Sequence, residues 1–189
     1  MLFQLLAPAL LASATPARPA RVVCLSSSGH RGGAIHFGDH DLRRAGYTPF
    51  AAYGQSKLAN VHTACEIERR YGAAPRGGVR AWSVHPGGIA TPLQKHVDRK
   101  LLDGYAADAA VRDAMKSTEQ GAATSVWAAL SDDVLAHGGR YLEDCSVAGP
   151  KAEGAGPIAP GYAPNAYDEA TASRLWEDSL TMVGLERDT

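Results

Sequence analysis

Along the chain, short β-branched runs alternate with stretches in which apolar residues recur every three or four positions. That alternation is what a parallel sheet with crossover helices requires. Met1 to Ala20 reads MLFQLLAPALLASATPARPA, and Leu2, Leu5, Leu6, Ala9 and Leu10 form a helical stripe that Pro16 and Pro19 end. Arg21 to Leu25 (RVVCL) predicts a buried strand, followed by a glycine-rich loop from Ser26 to about Phe50. Ala51 to Tyr71 predicts a long helix closed by Gly72 and Pro75. Val79 to Val84 predicts a second strand, stopped by Pro86-Gly87-Gly88. Two helices are expected at Leu101 to Met115 and at Thr118 to Leu130, the second opened by Ser117 or Thr118 as N-cap. Gly139 to Glu143 predicts a third strand. Val147 to Ala166 is a Pro/Gly-rich loop containing Pro150, Pro157, Pro160 and Pro164, and a last helix runs from Asp168 to about Val183.

Composition narrows the class of partner. The 189 residues, 45% apolar and 21% charged, amount to one domain of ordinary globular sequence. A formal charge of -1 offers no surface that would release counterions from a nucleic acid, so a small uncharged molecule is the better partner. Cys24, Cys65 and Cys145 are odd in number and share no metal-ligand spacing, which predicts reduced thiols and a cytoplasmic location. No stretch reaches the roughly 18 apolar residues of a transmembrane segment. The apolar start resembles a secretory signal but has no Lys or Arg ahead of its apolar run; secretion, with residues 1–17 as the signal, is the alternative location.

Chemistry enters at Tyr53-Gly54-Gln55-Ser56-Lys57. On a helix, residues four apart share a face, so the Lys57 ammonium can stand near the Tyr53 phenol. A cation beside a phenol favours the phenolate and draws its pKa of about 10 toward neutrality, which makes a tyrosine usable as an acid and base. The spacing alone is weak, since seven tyrosines in a chain of this composition give about 0.2 chance matches. Two further signals strengthen it. Ser26-Ser27-Ser28-Gly29 follows the first strand at its carboxyl end, where ligands bind in open α/β sheets and a hydroxyl can donate to a substrate carbonyl. Pro86-Gly87-Gly88-Ile89-Ala90-Thr91 leaves the next strand at the same edge.

Other residues carry less. His36 and His40, with Asp39 and Asp41 nearby, read as a solvated polar loop, and no metal is expected. His85 reads as the end of a strand, and Trp82, Trp127 and Trp176 as packing aromatics. A serine hydrolase would need Gly-x-Ser-x-Gly, which Ser26 to Ser28 lack.

Taken in order, RVVCLSSSGH, AYGQSKLAN, SVHPGGIATPL, STEQGAATSVWAAL and GGRYLEDC resemble the short-chain dehydrogenase/reductase family over nearly the whole chain. His30, the long insertion before Tyr53 and the SKLAN and VHPG segments are similar to the branch that holds retinol dehydrogenases and the WW-domain oxidoreductase. The resemblance implies an α/β fold: the C-terminal part of a doubly wound, Rossmann-like parallel sheet with flanking helices. It implies hydride transfer between NADP or NAD and a small apolar alcohol, aldehyde or ketone. Tyr53 would exchange the proton with the substrate oxygen, and Lys57 would hold the nicotinamide ribose hydroxyls. Ser27, with Ser28 as the neighbouring candidate, would position the carbonyl or alcohol. Pro86, Gly87, the Ile89 backbone and Thr91 would contact the cofactor, the last two at its carboxamide. Cys24 departs from the asparagine common at that strand position, a change expected to affect packing more than chemistry.

Neither GxxxGxG nor GxGxxG occurs, and Asn60 and Asn165 are the two asparagines. The expectation is a single partial dehydrogenase domain over residues 1–189, with residues 147–166 a loop within it and the first βαβαβ cofactor-binding half absent. A sheet so divided exposes a strand edge that invites pairing with another chain or a homo-oligomer. Two readings stay open: an oxidoreductase, or a non-catalytic remnant acting as a binding or oligomerising module.

Overall fold

The computed structural model describes residues 1–73, 78–156 and 158–185. Pro75, expected to close a helix, and Pro157, one of the prolines of the 147–166 loop, lie outside them. Helix α1 (Leu2–Ser13) stops at Ala14, ahead of Pro16. Of the expected stripe, Leu10 packs inward, joined by Phe3, Ala7 and Leu11, while Leu2, Leu5, Leu6 and Ala9 are exposed. With apolar residues nearly all round the helix, periodicity could not choose the buried face.

Strand β1 (Ala20–Leu25) pairs in parallel with β2 (Val79–His85), in register from Ala20 against Val79 to Leu25 against Val84. Helix α2 (Pro49–Tyr71) makes the crossover between them, entered through Thr48, whose hydroxyl accepts from the Ala51 amide. Strand β3 (Gly88–Ile89) follows β2 directly. The helix expected from Leu101 to Met115 is divided into α3 (Arg99–Ala107) and α4 (Ala109–Asp113), because the Asp108 carboxylate accepts from the Ala110 and Val111 amides and starts a new helix. Strand β4 (Met115–Lys116) pairs in parallel with β3 as a separate two-stranded sheet. Helix α5 (Thr118–Leu130) opens with a capping box, Ser117 and Gln120 each bonding the other's backbone amide. Strand β5 (Tyr141–Glu143) adds to β2 in parallel, and β6 (Ser146–Val147) turns back antiparallel. Helix α6 (Glu169–Met182), capped by Asp168, closes the described chain.

The main sheet therefore runs β1-β2-β5-β6, with helices on both faces. On one face, Ala64 and Ile67 of α2 meet Val79 and Ala81, with Trp176 and Leu180 of α6 behind them. On the other, Trp82 and Val84 pack against Ala128 of α5, Val134 and Leu142. Alternate residues of β2 thus serve the two cores, as a strand buried on both faces requires. The strand at the sheet's end behaves differently. β1 is half-buried, with Leu25 51% exposed, where a buried strand was expected. The reason is that, among the described residues, it has a strand partner on one side alone.

Candidate active site

The carboxyl ends of β1 and β2 lie side by side, so the segments that leave them are neighbours. Ser26 Oγ donates to the Lys57 carbonyl at 2.8 Å, pinning the end of β1 to the middle of α2. Ser27 then caps a 3-10 turn over Ser28–Gly32, its Oγ accepting from the Gly29 amide at 3.1 Å. Helix α2 approaches this turn backbone to backbone: a β-carbon on Gly33 would collide with the Gly54 carbonyl. One on Gly29 would lie 2.7 Å from Tyr53 Cε1 and 3.5 Å from Ser27 Oγ, so the tyrosine ring and the serine hydroxyl flank the same glycine. Lys57 Nζ stands 5.5 Å from the Tyr53 ring centroid, over its face. The structure thus brings Ser27, Tyr53 and Lys57 together.

Lys57 Nζ also donates to the Leu25 carbonyl at 3.2 Å, and Asn60 Nδ2 donates to the same oxygen at 2.7 Å. The Ala20 and Ser26 amides donate to Gly78 and Val84 beside β2. By the alternation of a parallel ladder, the polar groups of Arg21, Val23 and Leu25 point away from β2, toward the open edge. Lys57 and Asn60 therefore cover the last carbonyl of that edge. Asn60 lies three residues beyond Lys57 on the same helix face, a spacing that could have singled it out.

Pro86, Gly87, Ile89 and Thr91 form the second wall. Gly87 has φ +95°, a conformation that favours glycine, and a β-carbon there would collide with the Lys116 side chain. Lys116 forms an ion pair with Asp144. The Ile89 side chain packs onto Gly121 of α5, while its carbonyl accepts from Gln94 Nε2 at 3.4 Å. Thr91 precedes the 3-10 turn Pro92–His96 without capping it by its hydroxyl. This segment reaches the serine turn through His85, whose Nδ1 accepts from the Ser28 amide at 3.3 Å and the Gly87 amide at 3.4 Å.

The electrostatics are set by burial. His85 is pushed down to about 4, first by burial and then by the Arg31 and Lys116 charges, so its ring is neutral near pH 7. Burial likewise lowers His30 and raises Glu143, whose Oε1 accepts from the Gly161 amide at 2.6 Å. Burial pushes the Cys24 thiol up to about 11, which keeps it protonated and makes it a packing group. An open cavity of about 480 Å³ is lined by Ser28 and Arg31 together with Lys151, Glu153 and Gly154, so the Pro/Gly-rich segment faces the serine turn. Among the described residues no three of His, Cys, Asp and Glu gather as a metal-ligand set. None of their helices is long and apolar enough to cross a membrane.

No family model matches the chain. Curated relatives do. The short-chain dehydrogenase/reductase prx1 of Penicillium roqueforti is 42% identical over 185 residues, covering 98% of this chain and 53% of that protein. Retinol dehydrogenase 12 of Mus musculus is 33% identical over 174 residues, covering 89% of this chain and 47% of that protein. Among solved structures, an uncharacterised protein from Mycobacterium paratuberculosis superposes with a TM-score of 0.59 at 29% identity, over 92% of this chain and 54% of that one. A mostly parallel sheet sandwiched by helices, with serine, tyrosine and lysine at its carboxyl edge, belongs to the α/β class of Rossmann-like folds. Within that class the chain belongs to the short-chain dehydrogenase/reductase family, and its relatives include a retinol dehydrogenase, as the SKLAN and VHPG segments led one to expect. The chain spans about half the length of the curated relatives it matches.

Proposed function

We propose that these residues form the proton-transfer half of an oxidoreductase site that interconverts a small apolar alcohol and its aldehyde or ketone. The observation that carries the reading is the meeting of Ser27 and Tyr53 at Gly29, with Lys57 over the tyrosine ring. The Ser27 hydroxyl orients the substrate oxygen by a hydrogen bond. Tyr53 gives that oxygen its proton in reduction and takes it in oxidation. The Lys57 ammonium, held over the ring, stabilises negative charge developing on the phenol oxygen.

The donor set fits the nicotinamide-ribose end of NADP or NAD. Lys57 Nζ and the Tyr53 hydroxyl would face the ribose, and the Pro86, Gly87, Ile89 and Thr91 segment would meet the carboxamide. The dinucleotide would supply or accept the hydride. On this reading residues 1–189 are one partial dehydrogenase domain, the 147–166 loop borders its substrate, and the adenosine end is gripped outside the residues described. A cytoplasmic location accords with this chemistry.

The open β1 edge and the exposed Leu2, Leu5 and Leu6 favour a second reading, a module that binds another chain or its own copy without catalysis. Fluorescence titration with NADPH and NADH separates the two. Saturable binding, weakened in Lys57→Ala, supports the oxidoreductase. No coenzyme affinity, together with a cooperatively melting oligomer, supports the module.

A further inference from the structure

Two histidines that proton transfer leaves unused meet at one peptide group. The peptide that follows Ser27 consists of the Ser27 carbonyl and the Ser28 amide. His30 Nδ1 lies 2.6 Å from that carbonyl, and the Ala163 amide lies 3.0 Å from His30 Nε2. An amide N–H can only donate, so Nε2 is the acceptor and Nδ1 carries the proton that is donated to Ser27. On the opposite side, the Ser28 N–H donates to His85 Nδ1, which also accepts from Gly87. The His85 proton is therefore on Nε2. The two rings need opposite tautomers, and both must be uncharged.

The surroundings supply those conditions. His30 is fully buried, with its ring 4.7 Å from that of Tyr141. Burial lowers both imidazoles, most of all His85. Each ring also anchors a second segment: His30 holds Ala163 at the far end of the Pro/Gly-rich loop, and His85 holds the Pro86-Gly87 turn. Ser27 is extended, at φ -166° and ψ 159°, so a rotation of the peptide after it would swing the turn that its hydroxyl caps.

The geometry points to His30 and His85 as a pair of positioning residues that clamp the Ser27–Ser28 peptide from its two polar sides and so fix the Ser27 hydroxyl against Tyr53. What that fixed position is used for rests on the oxidoreductase reading; the clamp itself does not. A buried histidine that merely fills space has no reason to choose the less common Nδ1–H tautomer, nor to be replaceable by a side chain of the same acceptor geometry.

Long-range proton–nitrogen NMR on isotope-labelled histidines of the full chain reads the tautomers directly. The expected result at neutral pH is Nδ1–H at His30 and Nε2–H at His85. The reverse tautomer at His30, or a charged ring at either position, overturns the clamp whether or not the protein turns over any substrate. The positioning role is read from turnover of an apolar aldehyde with NADPH or NADH. His85→Leu should lose on the order of tenfold to a hundredfold in kcat with KM little changed, and His85→Asn, whose Oδ1 takes the place of Nδ1, should recover most of it. Wild-type turnover in His85→Leu overturns the role. Should His85→Leu fail to fold, an Asn variant with turnover reduced as far as the Leu loss expected above overturns it equally. Absence of turnover in the wild type strikes the oxidoreductase reading instead, and the tautomers then decide the clamp alone.

Discussion

At the scale of single residues, the site depends on two places where a glycine admits something else. At Gly29 the neighbour is the Tyr53 ring, a side chain that can swing aside. Gly29→Ala should therefore fold with nearly native stability yet lose turnover, because the displaced ring is the proposed proton carrier. At Gly33 the neighbour is the Gly54 backbone, which cannot yield without moving α2. Gly33→Ala should cost about 1–3 kcal/mol, read as a lowered urea midpoint. The Tyr53–Lys57 pair was legible because helical spacing alone brings two such residues together. His30 and His85 were visible as residues but not as a pair: one sits in a turn after β1 and the other ends β2, and their shared peptide exists once those strands are aligned. The same holds for the closeness of Gly33 to Gly54.

At the scale of elements, β1 is where pattern and structure part. The RVVCL run predicted a strand and the strand formed, but its burial depends on neighbours on both sides, which no local pattern encodes. The edge has a defined chemistry. The Val22 amide points to β2 and the Val23 amide points away, following the bonds made by Ala20 and Ser26. Val22→Pro should remove a ladder hydrogen bond and cost about 1–3 kcal/mol in chemical denaturation. Val23→Pro should cost much less in the monomer; if the open edge pairs with a second copy, it should also abolish the dimer in light scattering. Helix α2 begins at Pro49, two residues ahead of the expected Ala51, because Thr48 caps it, whereas the start of α5 was legible because Ser117 caps through its own hydroxyl. The break between α3 and α4 was not, since apolar periodicity runs through Asp108 and the cap there is a local competition that the carboxylate wins.

At the scale of the whole molecule, two buried imidazoles and the half-buried His85 make stability depend on pH. His30, His62 and His85 are all lowered from 6.5, first by burial. For His85 the charges of Arg31, Lys116 and His30 add to burial and Asp144 opposes; for His62, Asp168 and Glu66 oppose and His30 adds. Each ring binds its proton less readily folded than unfolded, so its contribution is complete above about 6.5 and is lost as pH falls through the lowered value, which for His85 is about 4. Asp39 and Asp168, lowered by hydrogen bonds from the Arg44 amide and from Thr171, extend the loss further into acid. Glu143, raised by burial, works the other way above its ordinary value of 4.5. Urea midpoints should therefore climb from pH 4 to pH 7, and a flat profile across that range would contradict neutral buried rings. The central claim is that the serine, tyrosine and lysine gathered at the carboxyl edge of β1 move a proton to and from a substrate oxygen. It is tested most directly by coenzyme-linked turnover of an apolar alcohol in the wild type and in Tyr53→Phe. Loss of the phenol oxygen should lower kcat by roughly 10²–10⁴-fold while leaving coenzyme affinity nearly unchanged; equal turnover in the two proteins would contradict the account.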